Sequence, residues 1–537
     1  MSGVMNEESA APGADAGRGN GPEGGAGRSR DDTAARVARW RDGDAGWAAR
    51  WRDGRAGRVT WWRDGRAGRV TWWRGGAPWW RGRAVAGALV GCAVLGGGVL
   101  VVAPDGGGGA AGRDDAGAGR VAGAPGAPGA PARGPGVAEV RARAGAGVLA
   151  AGVSVGSDDV AVLVADREKQ VRTRPRDSAA WAVLGAAYVE RARRTGRVSD
   201  LPRAETALRA SLRLRPRGNA DALDGMTALA NTRRDFPAAL RWGERAVAQS
   251  PGRWTSYALL LDAYDGLGRY KAVRGTLERL LDADSGPAAQ AWAARVYWDQ
   301  GRREDAAAAL ADAAAGAATP AEEAALWVRA GELAWERGEP AEASRYFTAA
   351  TRADPGAADA LAGRGRVLAA TGRTAEGVRA YRAALARRPS ARVALELGEL
   401  YASLGRVGAA AKQYGVVREL VRRSAAAGVD EALVLGALEA DHGDPAKAVR
   451  VLRAEWRRQP GLKVADALGW ALHRAGSHEE ALEYARRATD PARGGEVRSA
   501  VYVHHRAEIE RALGLTASAR RHEEEARRIN PHLRREG

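Results

Sequence analysis

The chain has 537 residues, 28% of them charged, with 83 Lys+Arg against 65 Asp+Glu for a formal charge of +18, and a single cysteine. This length exceeds one ordinary domain, and one cysteine excludes an intrachain disulfide framework. The basic excess is almost all arginine, which GC-rich coding also produces; it favours anionic partners, such as acidic protein segments, without naming one.

Residues 1–83 are dominated by Gly, Ala, Arg and Asp, a composition that cannot bury a core, so a disordered region is expected there. An 11-residue unit recurs within it: residues 51–61 and 62–72 are identical, and 40–50 is a diverged copy. Half of the 18 tryptophans lie between Trp40 and Trp80, interleaved with arginine, which suits an anionic membrane surface. The same mixture can meet nucleic acid through phosphate contact and stacking, but no known reading module accompanies it.

Residues 84–103 form an uncharged run of 20 residues, enough at about 1.5 Å per residue to cross a bilayer core of about 30 Å. One transmembrane helix is expected there. Residues 36–83 carry 13 Arg against four Asp, whereas 104–136 carry three of each, so the positive-inside rule puts the N-terminus in the cytoplasm and the rest of the chain outside. The expected localisation is thus a single-pass cell-membrane protein with an extracytoplasmic C-terminal domain. Cys92 lies inside the apolar run rather than at its end, and reads as a small apolar residue of the helix rather than a lipidated one. Residues 104–157, rich in Gly, Ala and Pro, read as a flexible linker.

From residue 158 to 537 a period of 34 takes over. Gly338, Gly372 and Gly405 lie 34 and 33 residues apart, and Pro355 and Pro389 lie 34 apart. Trp327, Gly331, Ala343, Phe347, Ala350 and Pro355 are followed in register by Leu361, Gly365, Gly377, Tyr381, Ala384 and Pro389. Each unit is a pair of short amphipathic helices that cannot bury its apolar stripe alone, so neighbours must stack into an all-α solenoid. Ten units follow, with turns near Gly196, Arg234, Gly268, Gly301, Gly338, Gly372, Gly405, Gly443, Gly476 and Gly514. Extra residues are expected as a longer loop at 193–201 in the first unit, and as a longer connection at 424–429.

These positions resemble the tetratricopeptide repeat (TPR) family. The best match is Trp181-x2-Leu184-Gly185-x2-Tyr188, followed by Ala204, Leu208 and Pro216. The resemblance implies a right-handed superhelix of helical hairpins whose concave groove, lined by the first helix of each hairpin, binds protein or peptide. Carried over by position, it selects Trp292, Arg295, Trp298, Arg329, Glu332, Trp335 and Arg366, flanked by Asp262 and Asp265 before and Glu396 and Glu399 after. Exposed Trp beside Arg would grip an extended, acidic peptide through stacking and carboxylate pairing.

Motifs for chemistry are weak. Residues 152–156 fit the Gly-x-Ser-x-Gly pattern of serine hydrolases but lack its strand–turn–helix setting. His504, His505 and Glu508 share a helical stretch, yet adjacent histidines point in different directions. No enzyme activity, cofactor, metal or small-molecule substrate is expected. The reading is a membrane-anchored, extracytoplasmic TPR scaffold. The alternative is a cytosolic TPR regulator whose Arg/Trp-rich arm touches nucleic acid or anionic lipid.

Overall fold

The computed structural model describes residues 60–63, 66–69, 156–493 and 497–532, and the chain divides into two units, residues 1–123 and 124–537. In the first unit, strands Thr60–Arg63 and Arg66–Arg69 pair antiparallel, Thr60 opposite Arg69 and Arg63 opposite Arg66. Asp64-Gly65 between them is the dipeptide that two-residue hairpin turns favour.

In the second unit every α-helix among the described residues, 21 in all, belongs to one array. Helix Ser157–Thr173 leads it and packs on the first of ten hairpins, where the Tyr188 hydroxyl donates to Glu168 Oε1 at 2.6 Å. Hairpins one to five are Ser178–Thr195 with Asp200–Leu214, Ala220–Thr232 with Phe236–Gln249, Trp254–Gly266 with Tyr270–Ala283, Pro287–Asp299 with Arg303–Ala315, and Pro320–Glu336 with Pro340–Ala353. Hairpins six to ten are Ala358–Ala370 with Thr374–Arg387, Ala391–Ser403 with Val407–Ala426, Ala432–His442 with Pro445–Arg458, Leu462–Arg474 with His478–Thr489, and Ala500–Ala512 with Thr516–Ile529.

Local chemistry sets these boundaries. Asp177, Asn219, Asp235, Thr319, Ser390 and Asp444 accept backbone N–H groups at helix starts, and Pro287, Pro320, Pro340 and Pro445 occupy first-turn positions where no donor is lost. Nine of the ten hairpin turns carry a left-handed residue, Arg234 at φ 56° and eight glycines from Gly196 to Gly514. The exception is Gly443, at φ −151°. There the buried Glu439 carboxylate takes Arg418 and Lys447, each at 3.0 Å, and the Asp444 N–H at 3.2 Å. A side chain does at this turn what a left-handed residue does elsewhere.

Packing within hairpins follows the small–large pattern. Phe347 is fully buried, and a Cβ on Gly331 would lie 2.7 Å from its ring. Gly185 faces Leu208, and Gly365 faces Tyr381, in the same way. Ala343 and Ala350 are fully buried between helices, and Trp327 is partly buried, stacked on Tyr346 with ring centroids 5.6 Å apart. Trp181 packs at the edge of the first core and donates its indole N–H to Pro175 O at 2.9 Å.

Two expected loops are corrected. The extra residues near 193–201 mostly lengthen helix Ser178–Thr195, where Arg191 clamps the buried Asp200 with two bonds of 2.7 Å. Those near 424–429 mostly continue helix Val407–Ala426 to 20 residues.

The array closes on itself. The Gly196 turn meets Arg388–Pro389: Arg388 donates to Arg193 O at 3.1 Å. Arg233 and Arg234 hold the connection at 427–431, with Arg234 on Glu431 at 2.6 Å and the Asp430 N–H on Arg233 O at 2.9 Å. The Leu462 N–H donates to the Tyr270 hydroxyl at 3.1 Å, Gly301 abuts Arg498, and Asn530 donates to Trp335 O at 3.0 Å. The turn of hairpin n thus sits on the connection that follows hairpin n+5, and partners about 195 residues apart form a seam between successive windings.

The expected membrane location is corrected. Among the described residues no helix is long and apolar enough to cross a membrane. The longest, Val407–Ala426, carries Lys412, Arg418, Glu419, Arg422 and Arg423, and desolvating such charges opposes insertion. Residues 84–103, with Cys92, and the linker up to residue 155 lie outside the described residues.

Candidate functional site

The seam turns the concave face into a cavity of about 1450 Å³ to which all ten hairpins contribute. Arg295 and Asp262, although surrounded by protein, keep 32% and 39% of their side-chain surface, so the space is open to solvent and its ion pairs are partly screened.

Hairpins three to five supply the charged centre. Arg295 reaches Asp265 and, at 3.5 Å, Asp262, while Lys463 of hairpin nine approaches Asp265 at 3.7 Å. Burial opposes the Asp265 charge, but Arg295 and Lys463 prevail and hold the carboxyl below its ordinary value. Trp292 lies beneath two guanidinium groups, Arg295 at 5.3 Å and Arg329 at 6.0 Å from the ring centroid. Arg366 of hairpin six is bound to Glu396 at 2.9 Å, and Glu396 also takes the Tyr381 hydroxyl at 3.0 Å.

The positions selected from sequence therefore separate. Arg295 and Arg366 are each paired with carboxylates of the protein itself. Trp298 and Trp335 pack against the cores of hairpins four and five, and the Trp335 carbonyl belongs to the seam. Glu399 has interactions of its own. Arg329 differs: its side chain is exposed beside Trp292, next to rather than among the residues that line the cavity, and it has no ion pair or hydrogen bond among the described residues. Burial, then Arg295, weakens its hold on its proton, yet a guanidinium stays charged. Glu332 likewise has no such partner.

Sequence reasoning missed Asp299, Glu336 and Tyr502. Asp299 stands one turn beyond Arg295, spacing that places both on one helix face. Its pKa is pushed up to about 6, because burial outweighs the pull of Arg295 and Asp265 adds to the rise. The folded chain then binds this proton more tightly than the unfolded one, whose value is near 3.8. The stability it contributes is full below that value and lost as pH rises through about 6. Asp299→Asn is expected to raise the melting midpoint at pH 7 by about 1–2 °C and to leave it unchanged near pH 3.5. Thermal unfolding across pH measures this, and a shift independent of pH would remove Asp299 from that role.

The histidine cluster lies in hairpins nine and ten. His504, Glu508 and Glu523 bring their donor atoms within 4.8 Å of one another, but Arg511 pairs with both carboxylates and supplies the positive charge a metal would bring. His505 turns away, onto Asp466 at 3.0 Å and against Trp470.

Among curated proteins none matches the chain. A family profile described as tetratricopeptide repeat matches residues 328–378, 368–417 and 433–496. Similar solved structures include the human IFIT1 dimer with PPP-AAAA, 16% identical over 62% of this chain and 79% of that one, TM-score 0.40. The APC/C hetero-tetramer Cut9–Hcn1 is 15% identical over 70% and 85%, TM-score 0.35. Pseudomonas aeruginosa pilF is 19% identical over 38% and 90%, TM-score 0.31. At these TM-scores the overlaps carry no argument. The matched spans fall on hairpins five to nine of the observed array, and those hairpins are tetratricopeptide repeats.

Proposed function

We propose that the protein is an interaction scaffold that holds an extended polypeptide segment along its repeats beside the cavity, with Arg329 pairing a carboxylate of the partner beside the Trp292 ring. The observation that carries this is Arg329 itself. Arg295 and Arg366 nearby are matched by internal carboxylates, while Arg329 is exposed and unmatched. A guanidinium on an aromatic face in a confined space is a strong, geometrically specific anchor for a carboxylate. Glu332 offers the opposite sign to a basic residue further along the segment, whereas burial, with Glu332 adding to it, raises the pKa of Glu336 one turn on.

Selection of unstructured peptides on the purified protein is expected to enrich acidic residues. Arg329→Glu should abolish that enrichment without lowering the melting midpoint. No enrichment, or acidic enrichment that survives the substitution, would overturn the reading.

A further inference from the structure

The seam uses only half of each edge of the array. The turns of hairpins one to five are covered by the following winding: the Cβ position of Gly196, Gly268, Gly301 or Gly338 meets an atom of it within 3.1 Å. At Gly372, Gly405, Gly476 and Gly514 the same backbone conformation is repeated and nothing lies within 4 Å among the described residues. The opposite edge shows the converse. The connections following hairpins six to ten are occupied, whereas Gly218, Gly252 and Gly286, in the connections following hairpins one to three, meet only their own connection or nothing.

Apolar side chains mark both free edges. Five large hydrophobic residues are exposed among the described residues, and four of them, Leu214, Leu404, Val407 and Leu515, lie at turns or connections of the unpaired halves. Val407, the most exposed at 74%, stands two residues after its turn glycine. Phe236, Tyr270 and Arg303 hold the same register in hairpins two to four, and each bonds to the next winding there. Leu214 stands two residues before Pro216, as Ile529 stands before Pro531, and the Ile529 carbonyl accepts from Arg303 across the seam. These side chains sit where the seam would continue if the array went on.

The geometry points to a second copy of this chain as the occupant. The turn edge of hairpins six to ten receives the connection edge of hairpins one to three of the next molecule, head to tail. Such a heterologous contact does not close on itself, so assembly grows with concentration into linear oligomers. The interface is continuous with one the fold already makes, and the residues that would be desolvated are those the described residues leave apolar and bare.

The test uses the full-length protein with a photoreactive amino acid at position 407, in a mixture of isotopically light and heavy chains. Crosslinks are expected between light and heavy chains, from 407 to the connections at 250–253 or 284–286, and sedimentation should show mass rising with concentration. The double substitution Val407→Glu, Leu515→Glu should weaken association by about tenfold or more with an unchanged circular dichroism spectrum, since both sites are exposed. A monomer at every concentration would overturn the proposal. So would crosslinks from 407 to turns of hairpins six to ten, which mark a symmetric contact, or to residues outside the array.

Discussion

Phe347→Ala is expected to lower the unfolding free energy by about 3–5 kcal/mol, the range for truncating a buried aromatic ring. The side chain has no exposed surface, and the chain has only two phenylalanines. Its ring fills the space that Gly331 and Gly363 leave by having no side chain, with Ala334 and Val367 completing the wall. Neighbours this small cannot reach into the void, so the cavity term should persist in full. Phe347→Leu, which keeps most of the volume, should cost about 1–2 kcal/mol. Because repeats unfold as coupled neighbours, the loss should also decouple hairpins five and six from the rest. Denaturant titration followed by hydrogen exchange would show early exposure of residues 320–387. A cost below about 1 kcal/mol would mean that the two hairpins close over the gap.

The repeat architecture was legible because its causes are local. A left-handed turn selects glycine, a helix end selects proline, and a helix crossing selects a small residue opposite a large one; all three recur at a fixed spacing. Even the degenerate second turn, with Arg234 in place of glycine, was placed by period. Its conformation has a reason no period contains: the Arg234 side chain reaches Glu431, 197 residues away. The seam as a whole was invisible for the same reason. Its partners are turn and connection residues about 195 positions apart, which in isolation read as ordinary polar loops. The cavity was half legible. Position on the first helix identified Arg295, Arg329 and Arg366 as concave, but whether an arginine is free depends on the neighbouring hairpin. Arg366 and Glu396 are 30 residues apart, nearly one repeat, so two residues selected as separate peptide contacts prove to be each other's partner.

This pairing bears on what kind of ligand the cavity can take. Asp262, Asp265 and Asp299 gather around one arginine, with Lys463 arriving from the next winding. The seam therefore assembles part of the charged centre, and opening it removes Lys463 from Asp265. Fold closure and site electrostatics are linked through hairpins three and nine, and a substitution at the seam should be felt in the cavity.

The sharpest measure of that linkage is a pair of alanine substitutions at equivalent turns, Gly268→Ala and Gly405→Ala. Both glycines are left-handed, φ 67° and 69°, so each substitution carries the same backbone strain of about 1–2 kcal/mol. Only Gly268 faces the other winding: an added Cβ would stand 2.7 Å from the Pro460 carbonyl oxygen, and the atom is backbone, with no flexible end to swing aside. Gly405 has nothing within 4 Å among the described residues. Gly268→Ala should therefore cost at least about 1–3 kcal/mol more than Gly405→Ala, the penalty of overpacking, and part of that excess should appear as local opening of the seam. The Leu462 amide, which donates to the Tyr270 hydroxyl at 3.1 Å, reports it directly: its hydrogen exchange should accelerate in Gly268→Ala and stay unchanged in Gly405→Ala. Equal costs at the two sites, with Leu462 protected in both, would mean that the windings touch without supporting each other, and the cavity would then owe its enclosure to curvature alone.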